Sequence, residues 1–184
     1  MKQPSTPLRL SAATGLSLIE TMVAVAILGS LVAMAAPSFA RIGERYRVSS
    51  VQSDLEATLH AARVEAISRN RPVTVHRLTG CPEATDPSDW RCGWETFIDR
   101  NRNRQRDADE PPLTRQGPIQ GHRILLEGPD RDGLTFSPLG RTEVALQSLV
   151  IVPDRPASAA GSGQRLCLEF GGTRLRMVDI QQAC

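Results

Sequence analysis

The chain has 184 residues, 23% of them charged and only 4% aromatic, with a formal net charge of +2. Once terminal segments are set aside, that length holds a single core of ordinary size and excludes a multidomain architecture. The charge comes entirely from Lys2 and Arg9, since the first fifteen residues hold no acid; the other 20 basic side chains equal the 20 acidic ones, so the remainder has no bulk charge.

Residues 1–15 form a short basic leader. Residues 16–39 are apolar and helix-forming, long enough to cross the roughly 30 Å hydrocarbon core of a bilayer at about 1.5 Å per residue. A basic leader before such a helix fits the positive-inside rule, which keeps the leader cytoplasmic and places the rest of the chain on the far side. Glu20 interrupts the apolar run. A carboxylate in a membrane helix costs on the order of 2.5–3.5 kcal/mol at mid-bilayer and less near the interface, so Glu20 calls for a neutralising partner.

Gly15, the apolar Leu16, Glu20 and the long apolar helix together resemble the class III signal of type IV prepilins and type II secretion pseudopilins. The resemblance implies that prepilin peptidase cuts after Gly15 and that the new terminus, Leu16, is N-methylated. It also implies that Glu20 pairs with the terminal amine of a neighbouring subunit as helices stack into a filament. It further implies a single-pass protein of the bacterial inner membrane, with a periplasmic head and with other pilins or pseudopilins as partners. Leu16 stands where the family more often has Phe. A plain anchor would explain the apolar run but not Glu20. A secretory signal peptide could use Ala33-Met34-Ala35 as its cleavage site, but it leaves Gly15 and Glu20 unexplained.

Beyond Pro37, where similar pilins carry a helix-loosening proline, Val48, Val51, Leu55, Leu59, Ala62 and Ala66 recur every three or four residues. This predicts an amphipathic helical continuation over residues 40–71, with Arg47, Gln52, Asp54, Glu56, Arg63 and Glu65 on the opposite face, ending before Pro72. The apolar stripe is read as facing the protein's own core. Over residues 72–184 the period changes, and short apolar or alternating runs around Val73, Trp94, Ile124, Leu134, Leu149, Leu166 and Thr173 are separated by Gly, Pro and Asp. These read as antiparallel strands. The expected fold class is α+β and type IV pilin-like: a long N-terminal helix, half transmembrane and half amphipathic, packed on an antiparallel sheet head. Residues 153–163, polar and small, are expected to be disordered.

Four cysteines lie beyond the anchor, in the part expected to reach an oxidising compartment. Three pairings are possible. The spacings fit neither a C-x-x-C redox pair nor the usual zinc pattern, so local staples are expected, Cys81 with Cys92 and Cys167 with Cys184, each contributing about 2–3 kcal/mol.

The phrase LHAARVEAISRNRPVTV, residues 59–75, looks like the helix end and first strand of FimT/GspH-type minor pilins and pseudopilins. GWETFID at 93–99, the segment 99–110, and LTFSPLGR at 134–141 are similar to that family's head in order and spacing. The resemblance implies a structural and initiating component of a type IV pilus or of a type II secretion pseudopilus.

Asp99, Asn101, Asn103, Asp107 and Glu110 fall at positions one, three, five, nine and twelve of an EF-hand-like loop. Arg104 occupies the position that needs Gly, and Arg100, Arg102 and Arg106 would repel a cation. A solvated, self-paired turn is expected there, and no metal or other cofactor. The segment LCLEFGGTRLRM, 166–177, reads as a hairpin with a Gly-Gly turn, Leu168 facing Leu175 and Leu166 facing Met177 on the buried side. Arg174 and Arg176 then project together from the other side. DNA-binding FimT-type pilins carry Gly-Arg-x-Arg near this point; the two arginines match and Thr173 replaces the glycine, which makes duplex DNA the alternative partner. The plainer assignment is an exposed cross-strand pair, Glu169 with Arg174. His60, His76 and His122 are isolated, and no G-x-S-x-G elbow, Walker loop or H-E-x-x-H occurs. No enzymatic activity and no small-molecule substrate are expected.

Overall fold

The computed structural model describes residues 17–84, 86–144, 147–154, 163–169 and 171–184. The leader, Gly15, Leu16 and most of the 153–163 loop lie outside the described residues. Two compact units divide the chain, Met1–Phe39 and Ala40–Cys184.

Helix α1 spans Leu18–Arg69 and is unbroken at Pro37. Ser17-Leu18-Ile19-Glu20 has the S-x-x-E pattern of a helix start, with the acid in the first turn, where it complements the helix dipole. The helix stops at Arg69, two residues short of the expected end. Asn70 takes a left-handed conformation (φ 52°), donating its N–H to the Ile67 carbonyl (3.3 Å), while the Arg71 N–H reaches the Ala66 carbonyl (3.2 Å). These are the two bonds of a Schellman cap, here formed on Asn instead of the more usual Gly.

In the first unit, Leu18–Ala36 is 19 residues long, apolar enough to cross a membrane, and not buried by any of the described residues. In the second unit, Val48, Val51, Leu55, Leu59, Ala62 and Ala66 are all buried, none more than 8% exposed, which is the stripe that the 3.6-residue period marks.

Among the described residues eight strands succeed the helix in chain order: β1 Val73–Arg77, β2 Trp94–Ile98, β3 Pro112–Gln116, β4 His122–Glu127, β5 Gly133–Phe136, β6 Gln147–Pro153, β7 Gln164–Glu169 and β8 Arg174–Asp179. They form two four-stranded antiparallel sheets, ordered β3-β2-β1-β5 and β4-β6-β7-β8, and not a single sheet. Strand β3 has no counterpart among the expected runs. It is a mostly exposed edge strand that opens on a proline, so neither alternation nor apolarity marks it.

One core joins the elements of this unit. The α1 stripe packs with Val73, Val75, Trp94, Leu134 and Phe136 from the first sheet and with Ile124, Leu126, Leu149, Ile151, Leu166 and Leu168 from the second. Buried indoles need partners for their N–H groups. Trp94 Nε1 donates to Thr58 Oγ1 of α1 (3.0 Å), and Trp90 Nε1 donates to the Arg131 carbonyl (3.1 Å). Disulfides join Cys81 to Cys92 and Cys167 to Cys184, with Cα separations of 5.5 and 5.6 Å. The first closes the excursion between β1 and β2, and the second ties the C-terminus to the buried centre of β7.

Candidate functional site

Three features can carry function: the apolar helix with its single acid, the loop between β2 and β3, and the β7–β8 hairpin. Within Leu18–Ala36 the only charged side chain is Glu20. It is exposed and makes no hydrogen bond or ion pair with any described residue. Gly15 and Leu16, the expected cleavage and methylation positions, lie outside the described residues.

The loop after β2 differs from the solvated turn expected of it. Asp99 and Glu110 are buried, at 0% and 2% exposure, and their oxygens are taken by donors of the chain itself. Asp99 accepts the Thr74 hydroxyl (3.0 Å) and the N–H groups of Asn103 (3.1 Å) and Arg104 (2.9 Å). Glu110 accepts the N–H groups of Arg100 (2.7 Å) and Asp107 (3.2 Å). The sharp turn at Arg104 does form, with φ 61°, a left-handed conformation costly for a bulky residue and maintained by the bonds around it.

The reason lies beneath the loop. Alternation along β1, β2 and β5 turns Thr74, Phe97 and Thr135 away from the core, and all three are nonetheless buried. The loop lies against that face through the Asp99–Thr74 bond and an Arg106–Glu95 ion pair (2.9 Å), and Arg104 pairs with Asp130 and Glu143. Among the described residues of the segment only Arg100 pairs with one of its own acids, Asp109 (3.4 Å), whereas Arg104 and Arg106 take acids from other elements, because Asp99 and Glu110 are occupied by backbone donors. Among the described residues no group of three or more His, Cys, Asp or Glu side chains is placed to hold a metal.

The hairpin has the expected register, with Leu166 opposite Met177, Leu168 opposite Leu175 and Glu169 opposite Arg174. Gly171 and Gly172 form the turn at φ 67° and 74°, a pair of positive values that a primed hairpin turn requires. Leu166 and Leu168 enter the core, which leaves Cys167, Glu169, Arg174 and Arg176 on the outer face. Cys167 is covered there by its disulfide. Sequence pairing anticipates Glu169 with Arg174, but that contact is the looser one, Nε to Oε2 at 3.9 Å. The diagonal neighbour Arg176 holds Glu169 Oε1 at 2.5 Å. Diagonal reach across a ladder is open to long side chains, so this contact was within reach of sequence reasoning once the register is set.

The histidines are separate. His60 is exposed on α1, His122 is buried at the start of β4, and His76 is half-buried in a polar cleft of about 400 Å³ shared with Asn103, Arg104, Asp130, Arg131 and Asp132. Burial holds the His76 imidazole below its ordinary 6.5, partly opposed by the nearby Asp132 carboxylate. Nothing in that cleft pairs a nucleophile with a base. Asp86, an exposed acid, sits below the usual carboxylate range because the Ser88 hydroxyl and N–H bind it.

A helix with a buried stripe, two antiparallel sheets on one core, and a single-acid apolar extension define the architecture of pilins. The chain belongs to the GspH family: the family of the type II transport protein GspH matches residues 52–180. It is similar to the pilin-like protein PilA1 of Thermus thermophilus, 28% identical over 169 residues that cover 91% of this chain and 94% of that protein. Its fold is similar to the type IV minor pilin FimU of Pseudomonas aeruginosa (TM-score 0.58, 20% identity, 78% of this chain and 96% of that one). It is also similar to the minor pseudopilin EpsH of the type 2 secretion system of Vibrio cholerae (TM-score 0.50, 14% identity, 74% and 99%). The protein is a minor pilin or pseudopilin, structural in kind and not an enzyme.

Two measurements test the loop and the cleft. Replacing Asp99 by Ala strands the Arg104 N–H and takes one of two partners from the Thr74 hydroxyl and from the Asn103 N–H, which keep Thr135 and Asn101, so urea denaturation of the detergent-solubilised chain should show a loss of about 1–3 kcal/mol. Millimolar calcium should leave the natural chain's midpoint unchanged; a clear rise with calcium would contradict the self-satisfied loop. The second concerns pH. Above 6.5, His76 is neutral folded or unfolded; as the pH falls below 6.5 the unfolded chain takes the proton first, so stability drops until the folded imidazole also titrates. His76→Gln should flatten that part of the stability–pH curve relative to the natural chain.

Proposed function

We propose that this protein is a priming or capping subunit of a type IV pilus or of a type II secretion pseudopilus, made as a precursor and cut by prepilin peptidase after Gly15. Leu16 becomes the methylated N-terminus, residues 18–36 hold the precursor in the inner membrane with the head on the periplasmic side, and Glu20 pairs with the terminal amine of a neighbouring subunit. The observation that carries this reading is the state of Glu20: one carboxylate, exposed and without a partner among the described residues, in a helix stretch that the protein leaves unburied. In a hydrocarbon environment such a group requires an opposite charge. Glu20→Ala should be cleaved nearly as well as the natural precursor yet fail to enter filaments, as read by blotting sheared filament and membrane fractions. Normal incorporation of that variant would end the pairing role.

A second reading is capture of duplex DNA by Arg174 and Arg176. It is favoured by their placement two residues apart on the outer face of β8, with side-chain exposures of 67% and 39%. Two guanidinium groups can hold two phosphates with weak, sequence-independent affinity. Binding of a mixed-sequence duplex that weakens steeply with salt, and is lost when both arginines become Gln, is the outcome this reading requires.

A further inference from the structure

The hairpin that carries Arg174 and Arg176 is anchored at its turn. The Thr142 N–H donates to the Gly171 carbonyl (2.6 Å), and Arg63 Nη1 of α1 donates to the Thr173 carbonyl (2.9 Å). A Cβ on Gly172 would stand 2.6 Å from Thr142 Cγ2 and 3.2 Å from Phe136 Cε1, so only glycine lets the turn sit this close. Arg174 therefore leaves a fixed point. The docking also brings the base of a third basic side chain to the turn, since a Cβ on Gly171 would lie 3.7 Å from the Arg141 Cβ, and the length of an arginine side chain lets its head group reach toward the same edge. Arg141 is exposed and forms no ion pair with any described residue.

Against these three cations stands Glu169, tied to Arg176 at 2.5 Å and to Arg174 at 3.9 Å. The Arg176–Glu169 pair is partly buried, with side-chain exposures of 39% and 21%, and still open enough to solvent for another anion to compete for the guanidinium group. We propose that Glu169 is an internal counter-charge that occupies Arg176 and thereby limits a phosphodiester-binding patch made of Arg141, Arg174 and Arg176. This rests on the DNA reading above, and it adds Arg141 and the regulation of the patch. Binding duplex DNA must draw Arg176 from the carboxylate to a phosphate, an exchange of one anion for another that returns little affinity. The natural protein then binds as though it had one cation fewer.

The test uses the full chain in non-ionic detergent, a short mixed-sequence duplex as probe, and a salt series. Glu169→Gln should bind roughly 3–10-fold more tightly at low salt, and the slope of log affinity against log salt should steepen by about one phosphate contact. The gain should vanish when Arg176→Gln is added, and Arg141→Gln alone should weaken binding severalfold. Glu169→Ala, and thermal unfolding of each variant, guard against a folding artefact. If Arg174→Gln with Arg176→Gln abolishes binding while both Glu169 variants bind like the natural chain, the counter-charge is refuted and the DNA reading stands. If Arg141→Gln binds like the natural chain, the composite patch is refuted. If no form binds the duplex at low salt, both readings fall.

Discussion

The inner faces of two separate four-stranded sheets are covered by one stripe of one helix, and the head depends on that shared contact. Val48 through Ala66 must present side chains that fit Val73, Val75, Trp94 and Phe136 on one side and Ile124, Leu149, Ile151 and Leu166 on the other. The stripe narrows toward the helix end, from Leu55 and Leu59 to Ala62 and Ala66. Small residues there let the chain turn through the Asn70 cap directly into β1. The Trp94–Thr58 bond adds a polar tie across the same contact. Neither sheet is covered on its inner face without the helix, so the second unit is one cooperative body.

Burial also extends to the outer face of the first sheet, by a different means. Thr74 and Thr135 share a hydrogen bond at 2.8 Å, and Thr74 also bonds Asp99, so a layer that would ordinarily be solvated is sealed by a polar loop with two buried carboxylates. Buried carboxylates are tolerated when each oxygen receives donors, and here backbone N–H groups of the same loop supply most of them. An ion-binding pattern and a self-satisfied structural loop can share the same residue spacing. Which of the two results depends on what already occupies the oxygens.

As a member of the GspH family, the chain combines a head built on one core with an apolar segment that its described residues leave uncovered. The two surfaces offered to partners differ in chemistry. Along Leu18–Ala36 the surface is apolar with a lone acid, suited to lipid and to other helices of the same kind. At the β7–β8 turn it carries Arg174 and Arg176 on the outer face of β8, with Glu169 between them.

The stripe of α1, the two disulfides, the hairpin register and the lone acid at Glu20 were all legible in the chain, because each comes from local spacing: period 3.6 for the helix, period two for the strands, and short loops between paired cysteines. The division into two sheets, the edge strand β3, the burial of Asp99 and the nearness of Arg141 to Gly171 were not. Each of these depends on residues far apart in sequence meeting at one place. β3 exists because β2 offers it a free edge, and Asp99 is buried because Thr74 and Thr135 lie beneath it. Arg141 comes beside the hairpin because the absence of a side chain at Gly172 lets the turn pack against Thr142. Periodicity determines which side of an element is apolar, whereas the choice of neighbour on the other side is made only when the elements dock.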